Sequence, residues 1–163
     1  LKERQMTRVG QGFDVHKFIL GKPLVIGGVE IDYKYGLEGH SDADVLIHAI
    51  IDALLGAAGL GDIGQHFPDT DSTFKDINSR KLLRTVIETL KSNNYIIGNI
   101  DATIICEAPK MKSYISKMVA NIADDCKCGL NSINIKATTT EKLGFIGRSE
   151  GIAAQAICLI KTA

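Results

Sequence analysis

Three short stretches carry residue types that could do chemistry: "GFDVHKF" (12–18), "SDADVLIHAIID" (41–52) and "KATTTEKLGF" (136–145). In an extended strand, residues i and i+2 project to one side, about 6.5–7 Å apart along the chain. Asp14 and His16 therefore share a face, and Phe13 and Val15 share the other. A carboxylate and an imidazole placed this way can close on a single metal ion through bonds of about 2 Å. The pattern is short, however, and a strand with one wetted face would carry it equally well.

His48 narrows the choice. It lies between Ile47 and Ala49 in a helix that is apolar nearly all round, where a plain surface histidine is out of place. Asp44, His48 and Asp52 follow at i, i+4 and i+8, a narrow polar stripe on that helix. A buried histidine satisfied by a neighbouring acid explains the stripe. So does a ligating imidazole whose second nitrogen is held by an acid one turn away. Taken together, Asp14, His16 and His48 would form an Asp-His-His set with one open position, as in catalytic rather than structural zinc sites.

Two further places could handle anions or cations. His40 and Ser41 stand where the helix begins, and free backbone N–H groups there attract negative charge. Ser41 also reads as an ordinary N-cap, with Asp44 near the positive end of the dipole. Glu141, among the hydroxyls of Thr138, Thr139 and Thr140, suits a hard cation such as Mg²⁺. It equally suits a capping box with Thr138. No G-x-x-x-x-G-K-[ST] loop is present, so any nucleotide chemistry needs another route to its phosphates.

The elements that must position these groups follow from periodicity and breakers. Residues 7–16 read as a strand, and 22–31 as a strand pair or bent strand around Gly27-Gly28. The helix from Ser41 comes next. The Gly-, Pro- and Asp-rich segment 59–74 is long for a plain connection, and such loops are commonly functional. Helices are predicted over 77–91 and 111–127, and strands over 95–107, 132–138 and 152–160. Segment 139–151 reads as a polar loop. With no repeat or linker, the pattern predicts one α+β domain, a mixed sheet with helices packed on one face.

Composition bounds the possibilities further. A chain of 163 residues with 45% apolar content can bury roughly two-thirds of its unfolded surface, which excludes disorder. Nineteen basic residues balance nineteen acidic ones, so nothing draws the whole molecule to nucleic acid or anionic lipid. Runs such as Ala53 to Leu60 are too short to span a membrane. Cys106, Cys126, Cys128 and Cys158 lack disulfide-framework spacing and read as reduced, structural thiols. Residues 1–6 have no apolar signal core and read as a leader or tag remnant, with the domain at 7–163.

The separate stretches coincide in one family. "GQGFDVHKF", "GHSDADVLIHAIIDALLGAAGLGDIGQHFPDTD", "EAPKM" and "KATTTEKLGFIGRSEGI" resemble the 2-C-methyl-D-erythritol 2,4-cyclodiphosphate synthase family from about Arg8 to the C-terminus. The resemblance implies a chorismate-mutase-like homotrimer with active sites between subunits. It implies the conversion of 4-diphosphocytidyl-2-C-methyl-D-erythritol 2-phosphate into the cyclic diphosphate with release of CMP, in the non-mevalonate isoprenoid pathway. By the same resemblance, Asp14, His16 and His48 are zinc ligands, and Glu141 sits beside a second divalent cation, Mg²⁺ or Mn²⁺. His40 and Thr139 stabilise the transition state. Ser41, Asp62, Ile63, Gly64, Phe67, Pro68, Asp69, Thr70 and Asp71 face the diol and phosphates. Cys106, Glu107, Ala108, Pro109, Lys110, Met111, Lys112, Thr138, Thr139 and Thr140 correspond to the cytidine pocket, and Phe145 and Arg148 to the subunit junction. Bacterial cytoplasm or a plastid-type stroma would be the compartment, with neither nucleic acid nor membrane as partner.

The implied reaction suits the composition. Phosphoryl transfer needs positioning and charge neutralisation, which two cations supply without a basic protein. A phosphate nucleophile is already anionic, so no Ser/His/Asp or Cys/His constellation is required. Two departures stand out: Ser149 follows Arg148 where the family commonly has glycine, and Lys112 adds a charge beside the implied nucleotide pocket. Without the resemblance, the same residues fit a zinc-dependent hydrolase or a non-catalytic trimeric binding module.

Overall fold

A computed structural model of the chain describes residues 5–163. Of the expected leader 1–6, residues 1–4 lie outside the described residues. Met6, just before the first strand, is tied to Thr162: its N–H donates to Thr162 Oγ1 at 2.9 Å, and its carbonyl accepts from the Thr162 N–H at 2.9 Å.

Strand β1 (Thr7–Ile19) runs three residues beyond its expected end. A short hairpin, β2 (Leu24–Ile26) and β3 (Val29–Ile31), turns at Gly27-Gly28, where both residues have positive φ. Strand β4 (Gly36–Leu37) and helix α1 (Val45–Ala58) follow. The segment expected to be loop holds a one-turn helix α2 (Ile63–His66) and a 3₁₀ turn at Ser72–Phe74. Then come α3 (Ser79–Ser92), β5 (Tyr95–Ile105), α4 (Ile115–Cys126), β6 (Ile133–Thr138), the one-turn α5 (Gly144–Gly147) and β7 (Gly151–Thr162). The main sheet has the order β4-β1-β7-β5-β6, with only β5 and β6 parallel. The fold is thus a mixed-sheet α+β domain, as the sequence predicts.

Two helix starts differ from expectation. Asp44, not Ser41, caps α1, accepting from the Ile47 N–H at 3.1 Å. Ala43 has φ of 57°, so the chain cannot be helical between Ser41 and Asp44. The Asp44 carboxylate is fully buried and also accepts from Gly27 N–H (2.9 Å) and Gly28 N–H (2.8 Å), tying the hairpin turn to the helix start. Helix α4 begins at Ile115 rather than Met111 because 111–114 close as a turn, Tyr114 N–H donating to the Met111 carbonyl at 2.9 Å.

Alternation along β1 has the opposite polarity to simple hydrophobic patterning. Gly10, Gly12, Asp14 and His16 face α1, whereas Val9, Phe13 and Val15 face outward and are exposed. On β7, Ile152, Ala154, Ala156, Cys158 and Ile160 are buried under the helix, and Ile157 is half exposed on the other side. Small residues make this possible. A Cβ on Gly10 would overlap the Ala53 carbonyl oxygen, and one on Gly12 the Ala49 carbonyl oxygen. The backbones of β1 and α1 meet because neither glycine has a side chain.

Gly12→Ala is therefore expected to destabilise the domain by about 1–3 kcal/mol, the range for overpacking a tight contact. Chemical denaturation would measure it; an unchanged midpoint would mean the strand and helix are not held this closely. Ser149 has φ of 57°, in the left-handed region that favours glycine. Ser149→Gly should stabilise the protein or leave it unchanged within about 1 kcal/mol.

Candidate metal centre and substrate pocket

Strand β1 contributes Asp14 and His16, and the first turn of α1 contributes His48. Asp14 Oδ2 lies 2.9 Å from His16 Nε2 and 3.1 Å from His48 Nδ1, and the two imidazole nitrogens are 3.3 Å apart. Four ligands arranged tetrahedrally at about 2.0–2.1 Å from zinc sit about 3.3 Å from one another. The triangle already has nearly that size. Among the described residues this is the one group of three or more His, Cys, Asp or Glu side chains able to hold a metal ion together.

The second nitrogens are also occupied as metal ligation requires. His16 Nδ1 lies 2.8 Å from the Glu38 carbonyl, which can only accept, so Nδ1 carries the proton and Nε2 has a free lone pair. His48 Nε2 faces Ser79 Oγ at 2.9 Å and Ser41 Oγ at 3.2 Å. The sequence suggested an acid one turn away, Asp44 or Asp52, for this role. Asp44 is instead committed to backbone amides, and Asp52 accepts from the Ile63 N–H at 2.7 Å.

Charge follows geometry. Burial pushes the Asp14 carboxyl up, but hydrogen bonds and the charges of His16 and His48 outweigh it and hold the group at about 2. Burial lowers His16, yet the Asp14 hydrogen bond and charge raise it above its usual 6.5. Burial, with the nearby Asp42 charge, pushes Asp44 up to about 6 against the amides it binds.

The cluster opens into a cavity of about 440 Å³ lined by Asp14, His16, Gly39, His40, Ser41, His48, Asp52, Ile63, Gly64, Phe67, Pro68, Asp69, Phe74, Ile77 and Leu82. Gly39, Asp52, Phe74, Ile77 and Leu82 were not among the sequence candidates; only Asp52 left a trace, in the polar stripe of α1. Asp62, Thr70 and Asp71 do not line the cavity. Asp62 caps α2 and Asp71 caps the 3₁₀ turn, while the Asp71 carbonyl lies 3.0 Å from His40 Nε2.

A second cavity, about 290 Å³, is lined by Cys106, Glu107, Pro109, Lys110, Met111, Lys112, Ala137, Thr138 and Thr139. Glu107 organises its rim, accepting from Thr140 N–H (3.0 Å), Thr140 Oγ1 (3.2 Å) and Lys142 N–H (3.1 Å). Ala108, Thr140 and Glu141 stand beside this cavity in sequence but do not line it. Glu141 is no capping box: its φ is 53°, and α5 begins three residues later without a side-chain cap. Phe145 is exposed, and Arg148 pairs with Glu150 at 2.8 Å on the surface. Within one chain the two cavities share no lining residue. Burial raises Cys106 and Cys158 to about 11, and all four cysteines are free thiols. Among the described residues, no helix is long and apolar enough to cross a membrane.

Fold and site together define an α+β domain with a candidate three-ligand metal centre in the wall of its larger described cavity. A sequence model of the YgbB family matches residues 7–161, and the chain belongs to that family. It is 64% identical to the 2-C-methyl-D-erythritol 2,4-cyclodiphosphate synthase of Methylobacillus flagellatus, over 96% of this chain and 98% of the relative. Among solved structures it is similar to the bifunctional IspDF of Campylobacter jejuni (45% identity, TM-score 0.94), covering 98% of this chain but spanning only 43% of that protein. It is likewise similar to IspF of Plasmodium falciparum in its CDP complex, with 35% identity, a TM-score of 0.85 and 96% of each chain covered.

When His16 is doubly protonated, metal binding must displace the proton on its Nε2. Because that proton is held more tightly than in a free histidine, zinc affinity should fall as the pH drops through the raised His16 value. The expected slope is about tenfold per pH unit for one displaced proton. In the metal-free protein the sign reverses: the Asp14–His16 pair stabilises below pH 6.5 and loses its contribution as the pH rises through the His16 value. Zinc titrations across that range measure the slope, and a flat profile would exclude His16 as a ligand.

Proposed function

We propose that the chain converts 4-diphosphocytidyl-2-C-methyl-D-erythritol 2-phosphate into 2-C-methyl-D-erythritol 2,4-cyclodiphosphate with release of CMP. The observation that carries this reading is the convergence of Asp14, His16 and His48 on the larger cavity, in a chain of the YgbB family. The 2-phosphate attacks the β-phosphorus and the bond to the CMP oxygen breaks, so no water and no protein nucleophile takes part.

Asp14 Oδ2, His16 Nε2 and His48 Nδ1 would hold one zinc ion. A divalent cation in this position neutralises charge on the phosphate oxygens and favours in-line geometry. His40, fixed through its Nε2 contact to the Asp71 carbonyl, and Ser41 present polar groups to the same cavity. Ile63, Gly64, Phe67, Pro68 and Asp69 also line this cavity, and the methylerythritol would lie against them. The smaller cavity, with Lys110 and Lys112 on its rim, would take the cytidine. Thr139 would contact the phosphates, and Glu141 would assist a second cation, Mg²⁺ or Mn²⁺.

Since one chain keeps the two cavities apart, the reading includes a homotrimer in which a neighbour supplies the nucleotide cavity. The outward sheet face supports it. Val9, Phe13, Val15 and Ile157 expose apolar surface that a second copy would cover. A chorismate-mutase-like assembly around that face would place Phe145 and Arg148 at the junction. Bacterial cytoplasm is the compartment this reading favours.

The direct test follows CMP and the cyclic product from the diphosphocytidyl substrate. Removing the metal with a chelator, or replacing His48 by Ala, should lower turnover by about 10³-fold, the scale of several kcal/mol of charge stabilisation. Oxygen from labelled water in the product would identify a hydrolase instead, and an active, metal-free His48→Ala protein would remove the ligand set. Sedimentation should give three chains per particle, and a monomer at high concentration would break the shared-site arrangement.

A further inference from the structure

His48 is reached by a pair of residues that the sequence did not single out. Ser79, the first residue of α3, is fully buried, with its Oγ 2.9 Å from His48 Nε2. The same hydroxyl donates to Asp42 Oδ1, and the Ser79 N–H donates to Asp42 Oδ2 at 2.9 Å. Asp42 is fixed in turn, its Oδ1 accepting from the Asp44 N–H at 3.1 Å. Two backbone bonds bracket the pair: Asp42 N–H to the Ile77 carbonyl (3.2 Å) and Asp76 N–H to the His40 carbonyl (2.8 Å).

The direction of these bonds follows from the groups themselves. A serine hydroxyl has one hydrogen, and a carboxylate can only accept. Ser79 spends its hydrogen on Asp42, so toward His48 it can only accept. His48 Nε2 must then be the protonated nitrogen, and Nδ1 keeps its lone pair facing Asp14 and His16. Without the Asp42 carboxylate, Ser79 could donate to Nε2 instead. The ring would then favour a proton on Nδ1, hydrogen-bonded to Asp14, the tautomer that cannot ligate.

We propose that Asp42 and Ser79 are positioning residues that act in series to hold His48 in its metal-ligating orientation and tautomer. They touch neither substrate nor metal. The arrangement has a second consequence. His48 Nε2 also faces Ser41 Oγ, and as a donor it does not take the Ser41 hydrogen. Ser41 Oγ accepts from the Ala43 N–H at 3.2 Å, so its own hydrogen is free for a phosphate oxygen in the cavity. The pair also links the metal centre to the segment that carries Phe74 and Ile77 to the cavity wall.

This proposal rests on the reading of Asp14, His16 and His48 as metal ligands, and the experiment separates the two. Zn²⁺ affinity is measured by chelator competition for the wild type, Asp42→Asn, Ser79→Ala and the double variant, with folding checked by circular dichroism. Either single change should weaken zinc by about 10–100-fold, the usual loss for a partner behind a ligand. Because Asp42 acts through Ser79, Asp42→Asn should cost less than about twofold in the Ser79→Ala background. Asp42→Asn keeps the shape of the site if Ser79→Ala does not fold. Nitrogen NMR of the zinc-loaded wild type should show His48 bound through Nδ1 and protonated on Nε2. Wild-type affinity in folded variants, additive losses in the double variant, or zinc on Nε2 would overturn the proposal alone. A wild type that does not bind zinc would overturn the metal centre and this proposal with it.

Discussion

The contact between the backbones of β1 and α1 is the constraint on which the site depends. Gly10 and Gly12 allow the strand to lie against the helix with no side chain between them, over the carbonyls of Ala49 and Ala53. Two residues further along the same strand face, Asp14 meets His48, the residue before Ala49 on the helix, and His16 follows. A side chain at either glycine would lift the strand by a layer of atoms, and ligand atoms now 2.9–3.3 Å apart would no longer share one ion. The ligand geometry is thus a product of main-chain packing, with the metal-facing atoms converging because the elements beneath them cannot separate.

A second layer of the design keeps the histidines available. Every ring nitrogen turned away from the cluster has an acceptor: the Glu38 carbonyl for His16, and hydroxyls for His48. The carboxylates near α1 are distributed among distinct tasks. Asp14 faces the ligand cluster, Asp44 caps the helix and holds the hairpin turn, Asp52 holds the start of α2, and Asp42 holds Ser79. Three of these four acids are engaged with backbone N–H groups and one with imidazoles, which offsets part of the repulsion between neighbours such as Asp42 and Asp44.

The outward face of the sheet carries the opposite message. A strand whose inward side is glycine, aspartate and histidine puts its valines and phenylalanine toward solvent in a single chain. The inner positions are already filled by α1, so apolar bulk has nowhere to go but out. Combined with two cavities that share no residue, this is a chain whose surfaces make more sense in company than alone.

Much was legible in the residues themselves. Period and breakers gave α1, α3, the long strands and the mixed α+β class, because strongly periodic segments specify their own type. The D-x-H pair and a histidine in an apolar helix pointed to a ligand set, because an unpaired polar group in such a place is costly. The cap of α1, the α2 turn and the short start of α4 depended on single φ angles and turn bonds that pattern does not encode. Which side of β1 faced the helix, and that Ser79 and Asp42 rather than Asp44 or Asp52 stand behind His48, were decided only by tertiary structure. Residues 31 and 37 positions apart become hydrogen-bond partners through the packing of α3 against the start of α1, a long-range contact that no local spacing can announce.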